Sequence, residues 1–149
     1  MRGESELKIY MDACCFNRPM DDQYQDRIRI ETDAIMTILQ KCKYGSWILV
    51  GSDILEYELN ANPIYKKMEK SFSLYLIANE RGHMSDEVQN RAKEFEKMRL
   101  AAFDSLHLAM AEFLEVDVLL SVDGDFVKMS AKTKAKVKVM NPVDWLMEV

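Results

Sequence analysis

"IYMDACCFNRP" (residues 9–19) sets an acid, Asp12, at the end of a short apolar run and follows it with a turn-like Asn17-Arg18-Pro19. Two later stretches do the same. "AFDSLHLAMAEF" (102–113) and "VLLSVDGDF" (118–126) also carry acids at the edges of apolar segments. The segments between them decide the fold. Residues 7–12, 46–52, 116–122 and 137–140 are continuous apolar runs and read as strands. Helices are expected between them: 21–42 with Ile28, Ile35, Ile38 and Leu39 on one stripe, a helix from Ser52 or Asp53 to about Asn60, 63–78, a helix from Ser85 and Asp86, 102–114, 125–134, and a short one from Asn141-Pro142. Gly45 stops the first of these, and "NERGH" (79–83) breaks the third. Strands that are apolar throughout and alternate with helices make a mostly parallel sheet covered on both faces, an α/β architecture.

In such a sheet ligands sit beyond the carboxyl ends of the strands. Asp12 ends the first strand, Glu56 and Glu58 lie on the helix after the second, Asp123 follows the strand 116–122, and Asp104 starts the helix leading into it. Taken singly, Asp104 reads as an N-cap, Asp123 as a turn residue before Gly124, and Glu58 as a solvated helix residue. Taken together, the acids suit one pocket. Several carboxylates there cannot all stay ionised without compensation. A hard divalent cation, Mg²⁺ or Mn²⁺, provides it through oxygen ligands, and it also activates water and neutralises charge on a phosphoryl group.

The bulk composition bounds the rest. The 149 residues are 48% hydrophobic and 30% charged, with a net charge of −5. One soluble domain spanning 1–149 is expected, located in the cytoplasm and with no membrane partner. "MRGESELK" (1–8) has no apolar stretch, so no secretory leader is expected. Three cysteines, two of them adjacent, make no disulfide framework. Cys14 and Cys15 read as small buried fillers, because no second Cys/His pair stands at zinc-site spacing. His107 reads as a hydrogen-bonded structural histidine. Lys128, Lys132, Lys134, Lys136 and Lys138 form a basic cluster that suits either an RNA backbone or a solvated sheet edge. Arg18 suits a phosphate contact, or a pairing with Asp21 or Asp22.

These stretches together resemble the PIN-domain nucleases, a family that includes the VapC-like toxins of toxin–antitoxin pairs. "IYMDACCFNRP" resembles the family's first strand with its acid, "SDILEYELN" the segment carrying its Glu, "DSLHLAMA" its Asp-x-x-His-x-Ala segment, "LLSVDGDF" its Ser-x-Asp strand end, and "VMNPVDWL" its C-terminus. The likeness runs from about residue 7 to 146. It implies a three-layer α/β/α sandwich and a Mg²⁺- or Mn²⁺-dependent endoribonuclease. The implied catalytic and metal-binding acids are Asp12, Glu58, Asp104 and Asp123, with Asp125 auxiliary. Leu59 after Glu58 favours that residue over Glu56. Arg18, Lys128, Lys132 and Lys134 would contact RNA. A small antitoxin partner and a homodimer are implied as well. The family also holds catalytically silent members, which bind RNA or protein without cutting. A haloacid-dehalogenase site would need an Asp where Cys14 stands, and the order of acids does not suit a response-regulator receiver.

Overall fold

The computed structural model describes residues 7–149. The leader expectation for residues 1–6, and those residues' share of the single-domain span, lie outside the described residues. The elements run β1 (Lys8–Met11), α1 (Ala13–Asn17), a 3-10 turn (Arg18–Met20), α2 (Asp26–Lys43), β2 (Ile48–Ser52), α3 (Asp53–Asn60) and α4 (Tyr65–Tyr75). They continue with β3 (Glu80–Gly82), α5 (Asp86–Lys97), α6 (Ala102–Phe113), β4 (Val118–Leu120), α7 (Gly124–Ser130), β5 (Val139–Met140) and α8 (Pro142–Glu148).

The five strands lie in the order β3-β2-β1-β4-β5, and every neighbouring pair is parallel. The expected α/β class and central parallel sheet are therefore present. Successive strand residues point to opposite faces. Ile9, Tyr10 and Met11 are each 0% exposed, so helices cover both faces of the central strand. The chain begins in the middle, builds β2 and β3 on one side, then crosses to build β4 and β5 on the other. The reversal falls at the carboxyl end of β1, where this class of sheet places its ligands. Helices that lead into strands also start at that edge, which brings the first turn of α6 alongside the ends of β1 and β4.

Local chemistry accounts for most boundaries. Ser52 caps α3 by accepting the Leu55 N–H at 3.1 Å, and Ser85 caps α5 by accepting that of Val88 at 3.2 Å. Each such cap is worth about 1 kcal/mol. Gly45 takes a φ of 87°, which ends the α2 connection where a side chain would be strained.

Two segments differ from expectation. Residues 79–83 are not a simple break, because they hold the edge strand β3. Its Glu80 and Arg81 are exposed and only Gly82 is buried, so no apolar run marks it. An edge strand pairs on one side only, and polar side chains there are the rule. A Cβ on Gly82 would stand 2.6 Å from Leu114 Cδ1 and 2.8 Å from Met110 Sδ, so α6 packs directly onto this backbone. The second difference is α1, which lies between Asp12 and the turn at Pro19. It is one turn long, too short to show a period, and it buries Ala13, Cys15 and Phe16.

Candidate active site

Asp12 follows β1 directly, and its N–H donates to the Leu120 carbonyl at 3.1 Å, tying it to the end of β4. It occupies the N-cap position of α1, yet its side chain makes no capping bond. The carboxylate is 5% exposed and accepts instead from Cys14 Sγ at 2.6 Å. Burial, and the Cys14 sulfur beside it, push the Asp12 carboxyl well above the usual range. The Cys14 thiol is in turn lowered to about 6 by hydrogen bonds to Cys15, Asp12 and Ser121. Cys15 is a buried filler as expected, its thiol directed at the Leu120 carbonyl, but Cys14 is only partly buried and is a partner of the first acid.

Glu58 projects from α3 toward α6, where His107 Nε2 lies 2.7 Å from its Oε1. His107 is 1% exposed and its Nδ1 is 2.7 Å from the Tyr10 hydroxyl, which is 2.8 Å from Ser52 Oγ. One proton arrangement satisfies all four groups. Nε2–H donates to the Glu58 carboxylate, the Tyr10 hydroxyl donates to Nδ1, the Ser52 hydroxyl donates to Tyr10, and Ser52 Oγ accepts the Leu55 N–H. Burial raises the Tyr10 phenol and keeps it protonated. His107 is thus hydrogen-bonded on both nitrogens, and it holds Glu58 in place.

Asp104 is the third residue of α6, whose N-cap is Ala101, so it is not the cap that the sequence suggested. It makes no hydrogen bond within the described residues. Burial, then the charges of Asp123 and Glu58, push its carboxyl up to about 6 against an opposing pull from His107. Groups that perturb one another in this way share a site. The same field joins Asp12 to His107, and Tyr10 to both Asp12 and Glu58. Asp104, Asp123 and Glu58 thus share one electrostatic neighbourhood, and Tyr10 and His107 lie between it and Asp12.

Asp123 is both cap and cluster member. Its Oδ1 accepts the N–H groups of Asp125 at 3.0 Å and Phe126 at 3.3 Å, while its own N–H donates to Ser121 Oγ at 3.1 Å. Asp125 is exposed in the first turn of α7 and meets Asp123 through its backbone N–H. Glu56 faces elsewhere. It pairs with the Arg81 guanidinium, with Nη2 to Oε1 at 2.7 Å, and accepts the Tyr75 hydroxyl at 2.6 Å. The Arg81 hydrogen bond lowers the Glu56 carboxyl below its ordinary value.

The basic residues are arranged differently. Arg18 is taken up by acids: its Nη1 is 2.9 Å from Asp21 and its Nη2 is 2.9 Å from Glu31. Glu31, which sequence reading overlooked, is 2% exposed and also accepts from Arg27 Nε at 3.2 Å and Asn141 Nδ2 at 2.6 Å. Arg27 reaches on to the Val122 carbonyl at 3.2 Å, beside Asp123, with its side chain 67% exposed. Lys128, Lys132, Lys134, Lys136 and Lys138 are all exposed. Lys128 lies in the last turn of α7, while Lys132 and Lys134 lie in the turns beyond it and not on a strand. Lys128 stands five residues, about 7.5 Å of helix rise, beyond the Asp123 cap.

The acids fit a hard cation in chemistry, all four donors being carboxylate oxygens. Among the described residues, the three metal-binding side chains whose ligand atoms all lie within 4.8 Å of one another are Asp12, Cys14 and Cys15. Two thiols make that trio too soft for Mg²⁺. Among the described residues no three of the four carboxylates meet that spacing, so their fit is one of donor chemistry. A surface groove of about 650 Å³ lined by Arg91, Glu94, Glu112 and Phe113 holds none of them.

No protein-family model and no curated protein sequence matches the chain. Solved structures do. FitAcB from Neisseria gonorrhoeae superposes with a TM-score of 0.56 at 17% identity, over 90% of this chain and 97% of that one. VapBC2 from Rickettsia felis, bound to a DNA fragment from its promoter, gives 0.61 at 11% identity over 91% and 98%. VapBC-1 from nontypeable Haemophilus influenzae gives 0.58 at 12% over 91% and 98%. The chain has a PIN-like fold.

Proposed function

We propose that this chain is a Mg²⁺- or Mn²⁺-dependent endoribonuclease that hydrolyses RNA phosphodiester bonds at Asp12, Glu58, Asp104 and Asp123. The observation that carries the reading is the placement of Asp104 beside Asp123 and Glu58, whose charges add to burial in raising the Asp104 carboxyl to about 6. Such crowding is costly unless a cation compensates it. A bound divalent cation would supply an activated water and neutralise charge developing on the phosphoryl group. The chain's own side chains prepare the place. Glu58 is aimed by His107, which is fixed in turn by Tyr10 and Ser52. Asp104 has no hydrogen bond to give up. Asp12 accepts a hydrogen bond from Cys14, which a bound cation would displace. Ser121 fixes the backbone of Asp123 at the strand end.

By likeness to the VapBC and FitAcB structures, the chain is read as the toxin of a type II toxin–antitoxin pair, with a small antitoxin partner. We also assign it a single-domain architecture, a homodimer and a cytoplasmic location. Among the described residues no helix is long and apolar enough to cross a membrane. Arg18, Lys128, Lys132, Lys134 and the auxiliary Asp125 stay as proposed RNA and metal contacts. Since Asp21 and Glu31 hold Arg18, the exposed Arg27 beside Asp123 is the stronger phosphate contact. A silent PIN-fold binding module is the second reading, favoured by the Cys14 thiol that occupies an Asp12 oxygen.

The two glutamates of α3 provide the test. Glu58→Gln should lower kcat/KM on RNA about a hundredfold, the scale of several kcal/mol of charge stabilisation. Glu56→Gln removes an exposed ion pair worth at most about 1 kcal/mol and should leave cleavage within about threefold. Equal losses, or loss from Glu56→Gln alone, would put the second ligand at the wrong residue. No cleavage by wild type with either cation would favour the silent module.

A further inference from the structure

Two aromatic side chains flank the acids without belonging to the core. Tyr57, immediately before Glu58, is 70% exposed, and Phe103, immediately before Asp104, is 39% exposed. Their rings are nearly parallel, 16° apart, with centroids separated by 6.3 Å. The Phe103 ring lies 6.4 Å from the ring of His107, whose Nε2 meets Glu58. A continuous path thus leads from two solvent-facing π surfaces to the carboxylate cluster. Tyr57 is the more exposed of the two rings, and Phe103 bridges it to the buried His107. Their flat faces suit a planar ligand better than an aliphatic chain. Tyr44, 74% exposed, lies between α2 and β2 at the opposite, amino edge of the sheet.

We propose that the Tyr57–Phe103 pair seats a nucleobase by stacking, next to the phosphodiester held at the acids. This rests on the reading of the acids as a phosphodiester site. Stacking on an aromatic ring is tolerant of base identity because every base has a π face. It requires the base to be out of a helix, which excludes duplex at this position.

The test is a binding series by fluorescence anisotropy with a labelled single-stranded RNA, in Ca²⁺ to suppress turnover. Tyr57→Leu should weaken binding about tenfold, and Tyr57→Trp should restore it. Tyr44→Leu, far from the acids, should bind as wild type. An RNA carrying one abasic nucleotide should also bind about tenfold more weakly to wild type when the gap falls at the seat, and Tyr57→Leu should then add no further loss. Unchanged binding by Tyr57→Leu, or equal losses on abasic and intact RNA, would overturn the proposal while cleavage by wild type left the nuclease reading standing. Unchanged RNA binding with a change of oligomeric state in Tyr57→Leu, seen by light scattering, would assign the pair to a second copy of the chain instead. Wild type that neither binds nor cuts RNA would overturn both readings together.

Discussion

Asp12→Asn is expected to lower RNA cleavage in Mg²⁺ by about a thousandfold or more while leaving the fold intact, because it removes several kcal/mol of charge stabilisation from the reacting centre. The side chain is 5% exposed and its backbone is fixed to β4, so the substitution alters charge and little else. The effect on stability has the opposite sign. The folded-state carboxyl lies above its ordinary value, so the folded protein binds the proton more tightly than the unfolded chain does. The stability this group contributes is present below the ordinary carboxylate range and lost as pH rises through the folded-state value. At pH 7, without a cation, an ionisable Asp12 is therefore a cost that Asn avoids. Metal-free Asp12→Asn should unfold at equal or higher urea concentration than wild type. Cleavage within tenfold of wild type, or a clear loss of metal-free stability, would contradict the assignment.

The largest expected effect on stability lies elsewhere. Glu31→Leu should cost about 3 kcal/mol, the lower part of the range for breaking a buried ion pair. In a chain of this size that is a fall in Tm of about 6–12 °C. Glu31 is almost wholly buried and accepts from Arg18, Arg27 and Asn141, which joins α2 to the 3-10 turn after α1 and to α8. Leucine fills the volume but leaves the Arg18 guanidinium, itself 17% exposed, with Asp21 alone. Glu31→Gln keeps acceptor and shape and should lose less. Thermal unfolding followed by circular dichroism checks both variants. A change under about 2 °C in the leucine variant would mean that solvent already screens the network.

The strand-end positions of Asp12 and Asp123 were readable in the sequence because parallel strands are buried on both faces and read as apolar runs, whose ends the acids mark. The same contrast hid β3, whose exposed Glu80 and Arg81 carry no apolar signal. Glu31 was readable in retrospect. It falls on the stripe of Ala34, Ile35, Ile38, Leu39 and Cys42, where an acid must be paired. The alternative between Glu56 and Glu58 was only half legible. Helical spacing says that the two diverge, but which one faces the sheet edge depends on His107 and Arg81, both remote in sequence. The Ser52–Tyr10–His107 chain joins three elements and leaves no local pattern at all. Cys14 looked like packing because nothing in a sequence shows a thiol turned toward the carboxylate two residues before it.

The central claim is that these carboxylates form one cation site, and a Mn²⁺ titration followed by thermal unfolding tests it most directly. A ligand that binds only the folded state stabilises it by about 2.7 kcal/mol at a hundred times its Kd, here a rise in Tm of about 5–11 °C. Wild type should show a Tm that climbs with the logarithm of Mn²⁺ concentration, and Asp12→Asn/Asp104→Asn should not. A wild-type Tm indifferent to Mn²⁺, or a rise that persists undiminished in the double variant, would contradict the account.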